Sequence, residues 1–436
     1  MKYHLSLYTI NAGCDEKKVF LYNTFSGSII KLNIDEYNKL TTSLDESKIE
    51  HFKELKRQGF IVNEFENEYL KLKVKSREVQ QTDLVTTLSY VIAPTLNCNY
   101  NCTYCFESKE NRMQKMNIHT SDAIIEFIIN QISKIKTIKG VKVTWFGGEP
   151  LLAYDLIVDF SEKLIKKLND LHIDYSSNMI TNGLLLNNDK ALILSKKCNL
   201  KNVQITLDGF ADTYSKKKQT KKESFDIVVS NIIKNNNLFK INVRLNTDKT
   251  NFEEMKHLSE YLLEQCGLKN KVSIYLAEIR NYNKENACNF YCAGEFIFAR
   301  NYFNKHLYEN NLINKYKMSE PPCFEPDFCG IIKKHNYAIG PNGELYKCEH
   351  HFGNKNKVVG DIYNGLYYNE EYKNFLEGNN DSQCINCNLN PCCRSDCQAM
   401  YECHKKNGEC LIYDDLLKNL KLYVQEYIKE HDKKKL

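Results

Sequence analysis

Ala93-Pro94-Thr95-Leu96-Asn97-Cys98-Asn99-Tyr100-Asn101-Cys102-Thr103-Tyr104-Cys105-Phe106 is the stretch on which the reading of this 436-residue chain turns. It holds Cys98, Cys102 and Cys105, with three residues and then two between them. The apolar, β-prone run Leu88 to Ala93 leads into it, so the cysteines are expected on the loop that leaves a strand. Three thiolates are one short of a closed tetrahedral zinc site. They are equally one short of the four that hold a [4Fe–4S] cluster. From these residues alone a zinc knuckle, three structural thiols and a cluster with one open iron all stand.

The rest of the composition narrows the field. Apolar residues make up 42% and charged residues 26%, the balance of a globular protein. The net charge of +5 is spread along the chain, which argues against a nucleic-acid partner. No run approaches the length of a membrane span, and Met1 to Ile10 alternates like a strand and has no signal-peptide core. A cytoplasmic protein is expected. Eighteen cysteines in a reducing compartment are better explained by metal ligation than by disulfides.

Three regions are expected: 1–83, 84–312 and 313–436. In the first, Tyr3 to Ile10, Lys18 to Asn23 and Ser28 to Leu32 read as strands, with a turn at Asn11-Ala12-Gly13. A short helix opens at Ile34, a second runs from Ile49 to Gln58, Gly59 stops it, and Phe60 to Val62 returns as a strand. In the second region, strands Val85–Ala93, Val141–Trp145, Asp174–Ile180, Val203–Leu207, Ile241–Asn246 and Val272–Ala277 alternate with helices at Ser121–Lys134, Leu156–Leu168, Glu223–Lys234 and Phe252–Gln265. Such alternation means parallel βαβ units. The expected fold class is therefore α/β, a partial (β/α)6 barrel left open, with its chemistry at the C-terminal strand ends.

Motifs fall at those ends. Trp145-Phe146-Gly147-Gly148-Glu149-Pro150 follows the second strand, and paired glycines let backbone approach a ligand closely. Thr181-Asn182-Gly183 ends the third strand and Thr206-Leu207-Asp208-Gly209 the fourth. Arg244 and Asn246 alternate onto one face of the fifth. Glu278 ends the sixth, as a base near substrate or, more simply, as the buried partner of Arg280. The lysines of Asp212-Thr213-Tyr214-Ser215-Lys216-Lys217-Lys218 read as a solvated loop, or as one that steers an acidic peptide. Cys288 and Cys292 follow in the next loop as substrate-facing or free thiols, and Cys14 reads as incidental.

The Cys-x3-Cys-x2-Cys spacing with Tyr104 before the last cysteine, followed by Gly-Gly-Glu-Pro, resembles the signature of radical S-adenosylmethionine (SAM) enzymes. The resemblance implies a [4Fe–4S] cluster on Cys98, Cys102 and Cys105, whose open iron chelates SAM. Electron transfer to the sulfonium then releases a 5′-deoxyadenosyl radical that takes a hydrogen atom from substrate. It implies SAM contacts from Tyr104, Gly147, Gly148, Glu149, Asn182, Thr206, Asp208 and Arg244, with Glu149's motif at the amino group. Thr206 stands where many relatives carry Ser. The His-Asp and Arg that follow in many relatives are missing after Asp208, which leaves the clamp for SAM's carboxylate unassigned.

The C-terminal third resembles the SPASM extension, in which cysteines hold two auxiliary [4Fe–4S] clusters. Carried over, Cys323, Cys329, Cys348 and Cys397 would hold the first, and Cys384, Cys387, Cys393 and Cys410 the second. With the opening triplet that is eleven of the eighteen cysteines. Cys392 competes with Cys393, and Cys403 with Cys410. Zinc remains the alternative for these pairs taken alone. His350 and His351 read as neighbours of the site, not ligands.

Region 1–83 resembles the winged-helix domain that recognises the leader of a precursor peptide, by strand addition to a sheet edge. The alternative is a cap over the barrel. Together these resemblances imply a radical SAM/SPASM maturase of ribosomally made peptides that installs a cysteine thioether. Its partners would be a leader-bearing precursor peptide and a reductant such as flavodoxin or ferredoxin, with no nucleic acid or membrane. The same cluster set serves an anaerobic sulfatase maturase that forms formylglycine. A zinc-rich binding protein without catalysis is the alternative from another class.

Overall fold

A computed structural model describes residues 2–15, 17–42, 44, 46–107, 112–280, 289–378, 381–393, 397, 404–406 and 409–433. Near the N-terminus lie β1 (Tyr3–Leu5), β2 (Thr9–Cys14), β3 (Lys18–Asn23), β4 (Ile29–Asn33) and β5 (Ile61–Asn63). β2, β3 and β4 form an antiparallel sheet, and β1 pairs with β5. The stretch expected as one strand, Tyr3 to Ile10, breaks at Ser6-Leu7-Tyr8. Glu68, more than sixty residues away, captures the break: it accepts from the Ser6 hydroxyl and, at 2.7 Å, from the Leu7 N–H. Asn11-Ala12-Gly13, expected as a turn, lies inside β2, where the register shifts and Gly13 takes φ +121°. That is the geometry of a bulge, not of a chain reversal. Helix Glu68–Gln80 then leads toward the barrel and was not anticipated.

The N-terminal sheet packs against the end of the chain. Ile10, Ala12 and Tyr22 share one apolar core with Leu416, Leu420, Val424 and Ile428 of the terminal helix Tyr413–Lys433. The Tyr22 hydroxyl donates to the carbonyl of Pro322 at 2.8 Å, and the Thr24 hydroxyl to that of Asn388 at 2.5 Å.

The six expected barrel strands are all present as β6 (Thr87–Ile92), β7 (Gly140–Trp145), β8 (Asp174–Thr181), β9 (Leu200–Leu207), β10 (Lys240–Thr247) and β11 (Val272–Glu278). They pair in sequence order and in parallel. One face of each strand is apolar and buried against the helices, for example Val141, Val143 and Trp145 of β7 and Ile241, Val243 and Leu245 of β10. The other face is polar: Gln204, Thr206, Asn242 and Arg244 are only half-buried, and the Tyr275 hydroxyl reaches across to Gln204 at 2.6 Å. The two-residue alternation that identified these strands is this division between helix layer and barrel interior.

The sheet does not stop at β6. The expected hairpin forms as β12 (Tyr337–Ile339) and β13 (Glu344–Tyr346), and β12 adds to β6 in parallel. β14 (Gly360–Asp361) and β15 (Gly365–Leu366) complete ten strands. The cysteine-bearing C-terminal third is thereby joined to the barrel by backbone pairing.

Buried Lys347 braces this junction. Its ammonium donates to the carbonyls of Lys333, Lys334 and Asn336 at 2.8–3.0 Å and lies 4.1 Å over the Tyr337 ring. Lys347→Met should remove three buried hydrogen bonds, the Lys333 carbonyl keeping only its bond from Asn336 N–H, and lower stability by about 2–3 kcal/mol. Thermal denaturation would show it, and an unchanged midpoint would contradict it. Among the described residues no helix is long and apolar enough to cross a membrane.

Candidate active site

The loop after β6 is held from three sides before any side chain is considered. Leu96 N–H donates to Gln114 at 3.0 Å and Met116 N–H to Pro94 at 2.9 Å. Gly148 N–H donates to Thr95 at 3.1 Å and Glu149 N–H to Asn97 at 2.8 Å, which docks the paired glycines onto the loop. A Cβ at Gly148 would stand 2.2 Å from the Asn97 carbonyl oxygen, so no other residue fits. On the third side, Asn101 and Thr103 N–H donate to the carbonyls of Lys218 and Lys217 at 3.2 and 2.9 Å. These are orphan carbonyls at the end of helix Ala211–Lys218.

Cys98, Cys102 and Cys105 on this loop are half-buried, and none is in a disulfide. Burial pushes the Cys98 thiol up to about 12 and raises Cys102 and Cys105 as well. Neighbouring thiols raise one another, Cys102 acting on Cys98 and Cys105 on Cys102. Among the described residues no three His, Cys, Asp or Glu side chains close around a single ion. Zinc draws its sulfurs to about 2.3 Å of one ion. A cubane takes one thiolate per iron, so three half-buried cysteines on one loop would leave one iron open to another ligand.

The strand ends converge on the loop. Glu149 is fully buried, and its carboxylate accepts from Leu151 N–H, the Thr181 hydroxyl and Asn182 N–H at 2.7–3.0 Å. The chain itself thus satisfies the carboxylate that was expected to face a ligand's ammonium. Asn182 reaches the loop directly, its amide donating to Asn99 at 2.7 Å.

Asp208 is also fully buried, and its Oδ1 has no hydrogen-bond partner among the described residues. Its Oδ2 accepts from the Tyr104 hydroxyl at 2.5 Å. Asn246 donates to that hydroxyl at 3.1 Å, and Arg244 Nε donates to Asn246 at 2.8 Å. Tyr104, Asp208 and Arg244 therefore belong to one network with Asn246, and an unpaired buried carboxylate oxygen at its centre is a place for a ligand's donor.

The lysine run corrects its sequence reading. It is helical, not a loop, and only Lys216 is exposed. Lys217 pairs with Asp248 at 2.5 Å. Lys218 is 3% exposed; its ammonium donates to the Thr206 hydroxyl at 2.6 Å and lies 3.6 Å from Asp208 Oδ2. The signal was present: consecutive helical residues turn about 100° each, so three in a row cannot all face water once the helix packs. Tyr214, one turn before, is buried on the same face.

Glu278 at the end of β11 is raised by burial and lowered by its neighbour Arg280. The expected ion pair does not form: among the described residues no salt bridge joins Glu278 to Arg280, and Arg280 is exposed. Nearby, His350 stacks on Phe106 with ring centres 4.2 Å apart. Burial, with Arg280 and Arg244 close by, pushes His350 down to about 4, so its ring is neutral at physiological pH.

In the C-terminal third, Cys348 has Cys397 and Cys329 as electrostatic neighbours. Cys387 has Cys410, and Lys405 faces both Cys384 and Cys410. Cys392 is half-buried, with Cys393, Cys387 and Cys323 around it. Cys323 faces the N-terminal sheet: a Cβ on Gly27 would come 3.1 Å from its sulfur, and it acts on Tyr22. Cys292 and Cys14 are exposed. Cys288 and Cys403 lie outside the described residues.

Comparison with known proteins gives this geometry a family. Residues 92–262 match the Radical SAM superfamily. A cysteine-type anaerobic sulfatase-maturating enzyme of Clostridium novyi is 26% identical over 360 residues, 74% of this chain and 91% of that protein. The radical SAM cyclopropyl synthase TigE of Paramaledivibacter caminithermalis is 25% identical over 425 residues, 88% of this chain and 83% of that one. Among solved structures, anSMEcpe with bound AdoMet aligns with a TM-score of 0.57 at 16% identity, covering 79% of this chain and 99% of that one. Streptococcus suis SuiB bound to precursor peptide SuiA aligns at 0.54 and 16%, covering 94% and 99%. Residues 92–262 are a radical SAM domain, its thiol loop and converging strand ends implying SAM and a [4Fe–4S] cluster, and the protein that carries it is a radical SAM enzyme.

Proposed function

We propose that this enzyme modifies a ribosomally made peptide, joining a cysteine sulfur to a carbon of the same peptide as a thioether. The observation that carries the reading is the convergence of the open thiol triplet with the buried, unpaired Asp208 Oδ1 at one end of the barrel. When bound, the cluster and SAM supply a one-electron cleavage that yields a radical able to take a hydrogen atom from the peptide.

The chain's own residues do the rest. Cys98, Cys102 and Cys105 would hold the cluster, on a loop whose shape the Lys217 and Lys218 carbonyls fix. Tyr104, Thr206, Asp208, Arg244 and Asn182 would orient SAM, and Gly147 and Gly148 would let it approach the backbone. Glu149, already satisfied within the chain, locks β8 to the loop. Glu278, raised by burial and beside Arg280, is the candidate to take a proton from the substrate. Cys323, Cys329, Cys348 and Cys397, and Cys384, Cys387, Cys393 and Cys410, would hold two auxiliary clusters, one of which would accept the electron left over when the carbon–sulfur bond forms.

Similarity to SuiB bound to its precursor peptide SuiA supports a peptide substrate. The sheet β2–β4 is the candidate leader site. It shares a core with the terminal helix, so deleting it would disturb more than recognition. Truncating the peptide is the cleaner test. A cysteine-bearing precursor without its leader should be modified at least about tenfold less than the full peptide, by mass spectrometry, since strand addition supplies affinity through main-chain bonds.

A sulfatase maturase is the second reading, favoured by the Clostridium novyi relative. Equal turnover of a short cysteine peptide, with formylglycine as product, would favour it over the thioether. A colourless anoxic protein with stoichiometric zinc and no 5′-deoxyadenosine formed from SAM would overturn both.

A further inference from the structure

We propose that Lys218 is the positive charge that makes the cluster on Cys98, Cys102 and Cys105 easier to reduce. The inference rests on the radical SAM reading of that triplet. A lysine is almost never fully buried without a partner that needs its charge. The closest contact of Lys218 is a neutral hydroxyl, Thr206 at 2.6 Å. Its carboxylate neighbour, Asp208 Oδ2, is 3.6 Å away and already accepts from Tyr104.

Around the ammonium otherwise stand the Tyr214 ring, its centre 5.7 Å away, and the thiol loop. The carbonyl of Lys218 accepts from Asn101, the residue before Cys102. Its Nζ lies 5.9 Å from the ring centre of Tyr104, the residue before Cys105. Asp208 first, then Cys102, Tyr100 and Cys98, favour its charged form against the cost of burial. Lys216 is exposed and Lys217 is taken up by Asp248, so Lys218 is the lysine of this helix whose charge serves the loop.

One electron entering a cluster adds one negative charge to it. A fixed cation in a low-dielectric interior stabilises that charge more than water-screened groups can. Cluster potentials follow net charge, hydrogen bonding and exposure. Removing the cation should therefore move the potential to more negative values, while a purely structural lysine would leave it where it is.

The test uses the full-length anoxic protein, reduced stepwise with dithionite and followed by electron paramagnetic resonance. The component that changes when SAM is added reports on the triplet. Lys218→Met should shift its midpoint to more negative potential, Lys218→Arg should restore the wild-type value, and Asp208→Asn should shift it the opposite way. A Lys218→Met midpoint equal to wild type overturns the inference and leaves the enzyme's assignment untouched. Where Lys218→Met carries no SAM-responsive signal, Lys218→Gln decides: a midpoint equal to wild type overturns it. A wild-type protein with no SAM-responsive signal would remove the radical SAM reading and this inference with it.

Discussion

Cys102→Ala should abolish cleavage of SAM to 5′-deoxyadenosine and remove the SAM-responsive iron–sulfur signal, while the protein stays folded. The loop keeps its shape without that sulfur, because backbone groups hold it: Asn101 and Thr103 to Lys218 and Lys217, Gly148 to Thr95, Glu149 to Asn97. What is lost is one thiolate of three. Outer-shell partners of metal ligands are worth about 10–100-fold in affinity or activity, and a ligand itself should exceed that. Cys98→Ala and Cys105→Ala should behave alike. Cys14→Ala, at the exposed end of β2, should change neither iron content nor turnover. Iron per chain, the resonance spectrum and chromatographic yield of 5′-deoxyadenosine would decide it, and full cleavage by the Cys102 variant would remove the triplet from the chemistry.

The second large effect comes from a residue with no side chain. A Cβ at Gly148 would meet Asn97 O at 2.2 Å, Asn97 C at 2.6 Å and Leu96 O at 2.6 Å. All three are backbone atoms of the thiol loop, so no flexible side chain can yield. At Gly147 the obstacle is the Thr95 carbonyl at 2.5 Å, and φ is +111° as well. Gly148→Ala must push the loop away from β7. The expected cost is about 1–3 kcal/mol of strain or more. Cluster loading should fall at least about tenfold, which 1.4 kcal/mol of misplacement would produce. Gly267→Ala is the control: nothing lies within 4 Å of its Cβ, and only its φ of +64° resists. It should cost about 1 kcal/mol and leave iron content unchanged. Equal iron loading in the Gly148 and Gly267 variants would contradict the packing argument.

The barrel was legible because its strands separate two environments. Val141, Val143 and Trp145 face helices while their neighbours face the interior, and a period of two survives in the sequence. The N-terminal strand was less legible. Ser6-Leu7-Tyr8 looks like part of a continuous strand, and only Glu68, far along the chain, interrupts it. Lys218 was hidden for a similar reason. Three adjacent lysines look solvated until a helix packs one of them beneath the thiol loop.

Cysteine spacing and the glycine pair beside Glu149 are local patterns, so residue order alone was enough to state which chemistry this chain is equipped for. Tertiary structure alone decided which groups share a space. It turned Lys218 inward, bonded Tyr104 to Asp208 and linked Arg244 to that pair through Asn246, spent Glu149 on the end of β8, and set Cys323 against the N-terminal sheet. The reason is physical. A spacing constrains neighbours along the backbone, whereas burial and charge pairing are settled between segments tens to hundreds of residues apart, which meet only when the strands pair and the helices close over them.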